Sequence, residues 1–334
     1  MLNNLYTLLF MKKHNKSPIK QEVKFEITNE YKEKIQNHSY LGKKGYTIPK
    51  NVLHEKDYDM LKKELFVKPI IFNMNYGGND AAFTQSFPVY RESLQKIYIP
   101  RFYGIDRYGA PKDEKIQQGD DICVHFDKQL RDYQEHIVGV YMNYVNTKLT
   151  ENSMTKGNGG ILEVPCGRGK TIMALNIISK LQKKTLIIVH KEFLMNQWIE
   201  RINEFLPGAK IGKIQGPEFN IEDKDIVIGM VQTIYDKNYE DNAFSSFGLT
   251  IIDEVHRIGS EQFSRTLFKT ITPYMLGISA TVERKDKLTK VLYMFIGKKI
   301  YEETRKDDEE VQVRSIFYNV QDQDFNDTLL DYRG

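Results

Sequence analysis

The stretch Val164-Pro165-Cys166-Gly167-Arg168-Gly169-Lys170-Thr171 decides how the rest of the chain is read. It follows a short apolar run, residues 161–164, and precedes a stretch of helical character, residues 171–182. Gly167 and Gly169 let the backbone turn its N–H groups inward around a phosphate. The following helix adds the positive end of its dipole. Pro165, Cys166 and Arg168 complete the cradle. Lys170 is placed to reach the β- and γ-phosphates of a nucleotide, and the Thr171 hydroxyl to ligate Mg²⁺. Loops of this kind usually open with glycine. Here Val164 stands in that place, and Gly167 and Gly169 keep the needed flexibility.

Working outward, the runs 161–164, 185–189, 225–230, 249–252 and 275–278 are short, apolar and rich in Ile, Val and Leu. They read as strands buried on both faces of a parallel sheet. Helical stretches lie between them, for example 171–182 and 191–205. This alternation predicts a doubly wound α/β domain. The run 249–252 ends in Asp253 and Glu254. Carboxylates there stand at the carboxyl edge of the sheet, where open α/β sheets bind ligands. Asp253 is the expected Mg²⁺ partner, and Glu254 the residue expected to polarise an attacking water.

The chain has 334 residues, room for about two domains. Apolar residues make up 40% and charged residues 28%, which excludes a disordered chain, a collagen-like fibre and a coiled coil. No run of ~18 apolar residues exists, so no membrane-spanning helix is expected. Cys123 and Cys166 are too few for a disulfide framework and have no partners at metal-ligand spacing. The apolar start, residues 1–10, precedes its lysines rather than following them, so no targeting segment is expected.

Charge is unevenly placed. Residues 1–50 hold ten lysines and four acids, and residues 302–334 hold four basic and ten acidic residues. A basic front suits contact with a polyanion such as nucleic acid, or is a solvated surface. Residues 1–39 read as a basic lead-in, mobile or loosely packed over 12–38. Residues 40–128 are dense in Tyr and Phe and punctuated by Gly and Pro, which predicts a small α+β domain with a helix near 55–65. Its aromatics are expected mostly in the core, with base stacking as the alternative. Residues 129–305 form the α/β domain, and 306–334 an acidic segment.

Three segments together carry a family resemblance: PCGRGKT, then Asp253-Glu254-Val255-His256, then Ser279-Ala280-Thr281. They resemble the first motor domain of a superfamily 2 helicase, a RecA-like fold. The DEVH form and GISATVERKD (277–286) are similar to XPB-type repair and transcription helicases and to UvsW-type helicases. LGKKGYTIP (41–49) and KIYIPRFYG (96–104) resemble the front segments of transcript-release helicases of poxviruses and other large DNA viruses. The likeness covers about residues 40–305.

The resemblance implies an ATP- and Mg²⁺-dependent motor acting on nucleic acid, with DNA favoured and RNA possible. It implies that Gln134, in LRDYQ (130–134), reads the adenine edge. Gln197 and Trp198, with Val189 and His190, would form one strand-contact segment, although a tryptophan on a helix is more often core. Gln232 and Thr233 would form a second. His256 would couple ATP to nucleic acid, or serve as a structural hydrogen-bond partner. Ser279, Ala280 and Thr281 would link hydrolysis to domain movement, with Arg284 close by. Such motors use a second RecA-like domain whose arginines complete the site. No such segment follows Thr281, so the chain is expected to be the front part of a longer protein, turning ATP over slowly alone. Viral transcription or repair would be its setting, with transcription machinery as a possible partner, in a virion or in the host cytoplasm or nucleus. Two other readings stay open: a nucleic-acid clamp switched by ATP, and a restriction-type translocase subunit.

Overall fold

The computed structural model describes residues 25–69, 86–147, 158–257, 260–284 and 287–303. Most of the lead-in, the aromatics Phe72, Tyr76 and Phe83, and the acidic segment from 306 lie outside the described residues.

The larger sheet has eight strands. Their spatial order is Glu218–Phe219, Ile211–Gln215, Ile226–Met230, Thr185–Val189, Leu249–Asp253, Tyr274–Ser279, Gly159–Glu163 and Lys299–Glu302. All pairings are parallel except that of the two-residue edge strand Glu218–Phe219. Successive residues of each strand serve opposite faces. Ile187 and Val189 pack with the helices Asp132–Asn146, Lys170–Leu181 and Glu192–Phe205. Leu186 and Ile188 pack on the other side, with Val231–Asp236, Ser260–Leu267 and Thr289–Ile296. Burial on both faces is why these strands are continuous apolar runs. The doubly wound α/β class is as expected, with most element ends shifted by a residue.

One topological feature positions the site. From Gly159–Glu163 the chain skips two places to Thr185–Val189, winds outward, and returns to fill the gap with Leu249–Asp253 and Tyr274–Ser279. The segments after residues 163, 253 and 279 therefore emerge side by side at one sheet edge.

The front domain carries a five-stranded sheet in the order Arg91–Glu92, Lys96–Ile99, Gly45–Pro49, Tyr40–Gly42 and Asp113–Glu114. Helices Asn29–His38, Glu55–Glu64 and Arg101–Tyr108 accompany it. Gly104 lets the last of these lie directly on the sheet: a Cβ there would stand 2.4 Å from the Tyr46 ring. Tyr46, Phe87, Phe102 and Tyr108 are buried, so these aromatics are core.

Two expectations need correction. Residues 29–38 are not a loose lead-in. They form a helix capped by Thr28, with Ile35 fully buried. The polar sequence hid this, because one buried isoleucine is too little for a periodic signal. Residues just before 128 also do not belong with the front domain. Val124 and Phe126 pack in the core of the larger domain, with Phe126 stacked 5.7 Å from Phe205.

The two domains are pinned together. Arg101, 1% exposed, donates from one nitrogen to the carbonyls of Thr272 (3.2 Å) and Pro273 (2.9 Å), just ahead of the strand Tyr274–Ser279.

Candidate active site

The phosphate loop leaves Gly159–Glu163 and enters the helix Lys170–Leu181. Gly167 (φ 84°) and Gly169 (φ 82°) are both left-handed, a conformation that a side chain would strain. Val164 is fully buried, and its N–H donates to the carbonyl of Ser279 at 2.9 Å, which ties the loop to the neighbouring strand end. Valine therefore anchors the loop where a glycine is usual. Arg168 pairs with Glu303 and stacks its guanidinium on Tyr133.

Gln134 lies beneath the loop. Its Nε2 donates to the Arg168 carbonyl at 3.0 Å, and its Oε1 accepts from the N–H of Arg131 at 3.0 Å. Its amide is thus engaged with the loop and its own helix start, and it is 5% exposed.

Lys170 Nζ stands 3.7 Å from Glu254 Oε1 and 4.0 Å from Cys166 Sγ. Glu254 has φ 50°, rare for a non-glycine residue and costing roughly 1–2 kcal/mol. Strain of this kind concentrates where a side chain must be aimed. Glu254 Oε2 lies 3.3 Å from His256 Nδ1 and 3.5 Å from Ser279 Oγ. His256 Nδ1 and Ser279 Oγ are 2.7 Å apart, and Ser279 Oγ donates to the Thr281 carbonyl at 2.5 Å. Arg284 donates to the His256 carbonyl at 3.1 Å. A continuous polar chain therefore runs from the phosphate loop to the segment after Ser279.

Asp253 is 6% exposed. Its Oδ2 accepts from Trp198 Nε1 at 2.8 Å. Burial pushes its carboxyl up to about 6; the Trp198 bond opposes that shift, and nearby Glu254 adds to it. Trp198 is core, 1% exposed, as tryptophan on a helix usually is, yet it also touches the site. The sequence pointed to Trp198 as part of a strand-contact segment or as core; nothing in the spacing foretold the bond to Asp253.

A cavity of about 540 Å³ opens beside these groups, reached by Cys166, His190, Glu254, His256, Ala280 and Thr281. Exposed Phe193 also lines it. Gln232 Nε2 donates to the His190 carbonyl at 3.1 Å, so the two segments expected to touch a strand meet. Thr233 is half-buried, its hydroxyl accepting from the N–H of Gly216 at 3.1 Å. Gln197 is exposed on the helix Glu192–Phe205. Among the described residues no helix is long and apolar enough to cross a membrane.

A phosphate loop and a DEVH segment, on the two strands that flank Tyr274–Ser279 in a doubly wound sheet, are the arrangement expected of a superfamily 2 motor domain. Residues 127–284 match the family described as "Type III restriction enzyme, res subunit". A protein of Acanthamoeba polyphaga mimivirus, L396, provisionally named an ATP-dependent RNA helicase, is 34% identical over 278 residues. These are 83% of this chain and 51% of that protein. "DNA 3'-5' translocase XPB2" of Sulfurisphaera tokodaii is 35% identical over 175 residues, 52% of this chain and 35% of that protein. The UvsW helicase of bacteriophage T4 has a solved structure that aligns with 74% of this chain and 94% of its own, at 17% identity and a TM-score of 0.48. The chain is similar to the superfamily 2 helicases, and it spans about half the length of its mimivirus relative.

Proposed function

We propose that this chain is the ATP-binding part of a nucleic-acid helicase or translocase. One observation carries this reading: Lys170, Glu254, His256 and Ser279 converge across three neighbouring strand ends, each within 4 Å of the next. The inward N–H groups of the phosphate loop and Lys170 would bind the β- and γ-phosphates of ATP. Glu254, aimed by its left-handed backbone, would take the proton of the attacking water. His256 and Ser279 would pass the occupancy of that site to the segment 279–281 and to the strand-contact edge.

The oxygen donors Thr171 and Asp253 suit Mg²⁺, which takes few protein ligands and completes its shell with phosphate and water. The raised proton affinity of Asp253 fits the same role, since a buried carboxylate is short of counter-charge. Bound there, Mg²⁺ would neutralise charge on the β- and γ-oxygens. The mimivirus relative is about twice as long as the matched part, which supports a second motor domain elsewhere in the protein. An arginine supplied by such a domain is worth roughly 10³–10⁵ in rate, so the chain alone would hold ATP and hydrolyse it slowly. DNA is the favoured track and RNA the alternative. Viral transcript release or DNA repair is the proposed setting.

Lys170→Ala tests the reading. Titration calorimetry with MgATP should show binding by the native chain and its loss in the variant, and nucleic acid should stimulate the native ATPase. ATP turnover that survives Lys170→Ala would refute the site.

A further inference from the structure

The front sheet has one apolar face, with Tyr46, Ile48, Ile97 and Ile99 in the core. Its other face is different. Register places Arg91, Tyr98, Thr47, Tyr40 and Asp113 in one row across all five strands. Tyr40 and Tyr98 are half-buried and stand two strands apart, on the order of 9–10 Å. Lys115 lies over the Tyr40 ring at 4.5 Å and Lys96 at 5.2 Å; Lys44 lies over Tyr98 at 5.7 Å. Between the two rings Thr47 is 1% exposed, and its hydroxyl has no hydrogen-bond partner.

This face meets the motor at Arg91, which donates to the carbonyl of Arg265 at 3.3 Å and lies over the Phe268 ring. It forms one wall of a cleft of about 410 Å³, with Thr47 on its lining and Asp241, Asn242 and Phe244 opposite. Phe247 and Ile271, also in the lining, precede the strands Leu249–Asp253 and Tyr274–Ser279. The cleft is therefore at the amino edge of the motor sheet, opposite the ATP site and roughly a strand length of ~17 Å away. Its cations are weakly committed: Lys43 (3.2 Å) and Lys44 (3.9 Å) share Asp241, which is 69% exposed. Exposed pairs of that kind are worth about 0–1 kcal/mol and yield readily to a phosphate.

We propose that this cleft binds single-stranded nucleic acid, with bases stacked on Tyr40 and Tyr98 and phosphates held by the rim lysines 43, 44 and 115. The proposal rests on the reading that the chain works on nucleic acid. Aromatic rings on an open sheet flanked by cations form a sequence-tolerant platform, because every base offers a π-face. The buried hydroxyl of Thr47 provides an unused polar group between the two rings. Two rings and separated rim cations suit a polymer rather than a mononucleotide, which would be held by a closed loop like the one at residues 164–171.

The test uses the whole chain and a fluorescein-labelled oligothymidine. Fluorescence anisotropy should show tight binding that Tyr40→Ala with Tyr98→Ala weakens roughly 10- to 100-fold. Lys43→Gln with Lys115→Gln alters only well-exposed side chains and should lower the salt dependence of binding by about two charges. MgATP binding should be unchanged in both variants, which reports that the fold is intact. Photocrosslinking with iodouracil-bearing oligonucleotide should map to Tyr40 or Tyr98. Native affinity in both variants, or crosslinks confined to the edge of His190 and Gln232, would overturn the cleft and leave the motor reading standing. Absence of any oligonucleotide binding would overturn both. Competition by polyglutamate as effective as that by unlabelled oligonucleotide would overturn the proposal in favour of an acidic protein partner.

Discussion

The indole N–H of Trp198 donates to Oδ2 of Asp253 across 2.8 Å, both side chains being buried. Trp198 is the one tryptophan of the chain. The bond joins the helix Glu192–Phe205 to the last residue of the strand Leu249–Asp253. It holds one carboxylate oxygen in place and partly offsets the cost of burying the charge. Helix position on the sheet and carboxylate orientation in the candidate site are therefore one structural variable.

Trp198→Phe fills most of the same space and removes the donor. Leaving a buried acceptor unpaired costs about 1–3 kcal/mol, so the chain should unfold at lower urea concentration by that amount. Affinity for MgATP should fall, because the Asp253 carboxylate is no longer oriented. Denaturation followed by circular dichroism, together with calorimetric titration, checks both effects. A variant with native stability and native MgATP affinity would show the bond to be incidental.

Asp253 also sets a pH dependence. Its ordinary value is 3.8, and burial in the folded chain moves it to about 6. An acid with a raised folded value contributes stability that is complete below about 3.8 and lost as pH rises through 6. The nucleotide-free chain should lose on the order of 3 kcal/mol from this group between those limits. Asp253→Asn should remove that loss, so the stability difference between variant and native chain should grow from pH 4 to pH 7. Mg²⁺ should stabilise the native chain more at pH 7.5 than at pH 5, where the carboxyl is protonated. Urea midpoints at the two pH values decide it, and a pH-independent difference would exclude Asp253 as the titrating group.

The motor was legible in the sequence because both of its signals are local. Gly167, Gly169 and Lys170 sit within one turn, and the apolar strands are unbroken because both faces are buried. Leu249–Asp253 was readable to within a residue for the same reason. The pairing of Lys170 with Glu254 was legible only through the rule that ligands gather at the carboxyl edge of such sheets. Contacts without a period were not legible. Asn29–His38 has a single buried residue and so no apolar face to read. The Trp198–Asp253 bond joins residues 55 apart in sequence and depends on how one helix settles on the sheet. The engagement of Gln134 with the Arg168 carbonyl needed the loop conformation itself. The row of Tyr40, Thr47 and Tyr98 needed strand register, which the punctuated front sequence does not specify.

Glu254 combines strain with chemistry, and two substitutions separate them. Glu254→Gln keeps the shape and the left-handed backbone but cannot accept a proton. It should retain MgATP binding and lose roughly 10²–10⁴ in hydrolysis. Glu254→Gly relieves the conformation at φ 50° and also loses the contacts to Lys170 and His256. It should be equally inactive yet at least as stable as Glu254→Gln, by up to about 1 kcal/mol. Thermal unfolding of the pair beside their ATPase rates gives the answer. A glycine variant much less stable than the glutamine variant would mean that the backbone at 254 stores no strain.

Arg101 controls how firmly the front domain is held to the motor. Its buried guanidinium satisfies two carbonyls, of Thr272 and Pro273, that lie directly ahead of the strand carrying Ser279. Arg101→Ala removes a fully buried side chain and leaves both carbonyls without their donor, a loss of about 2–5 kcal/mol. The cost falls on the junction rather than on either sheet, since the phosphate loop, Asp253 and Trp198 lie at the opposite sheet edge. Differential scanning calorimetry should therefore resolve two transitions where the native chain shows one, with the front domain melting first. MgATP should still raise the later transition, because the motor keeps its site. Limited proteolysis should cut the variant between the front strands and residue 128 well before it cuts the motor. A single cooperative transition at the native temperature would show that the domains are held by their shared apolar core alone and that Arg101 is a passenger in it.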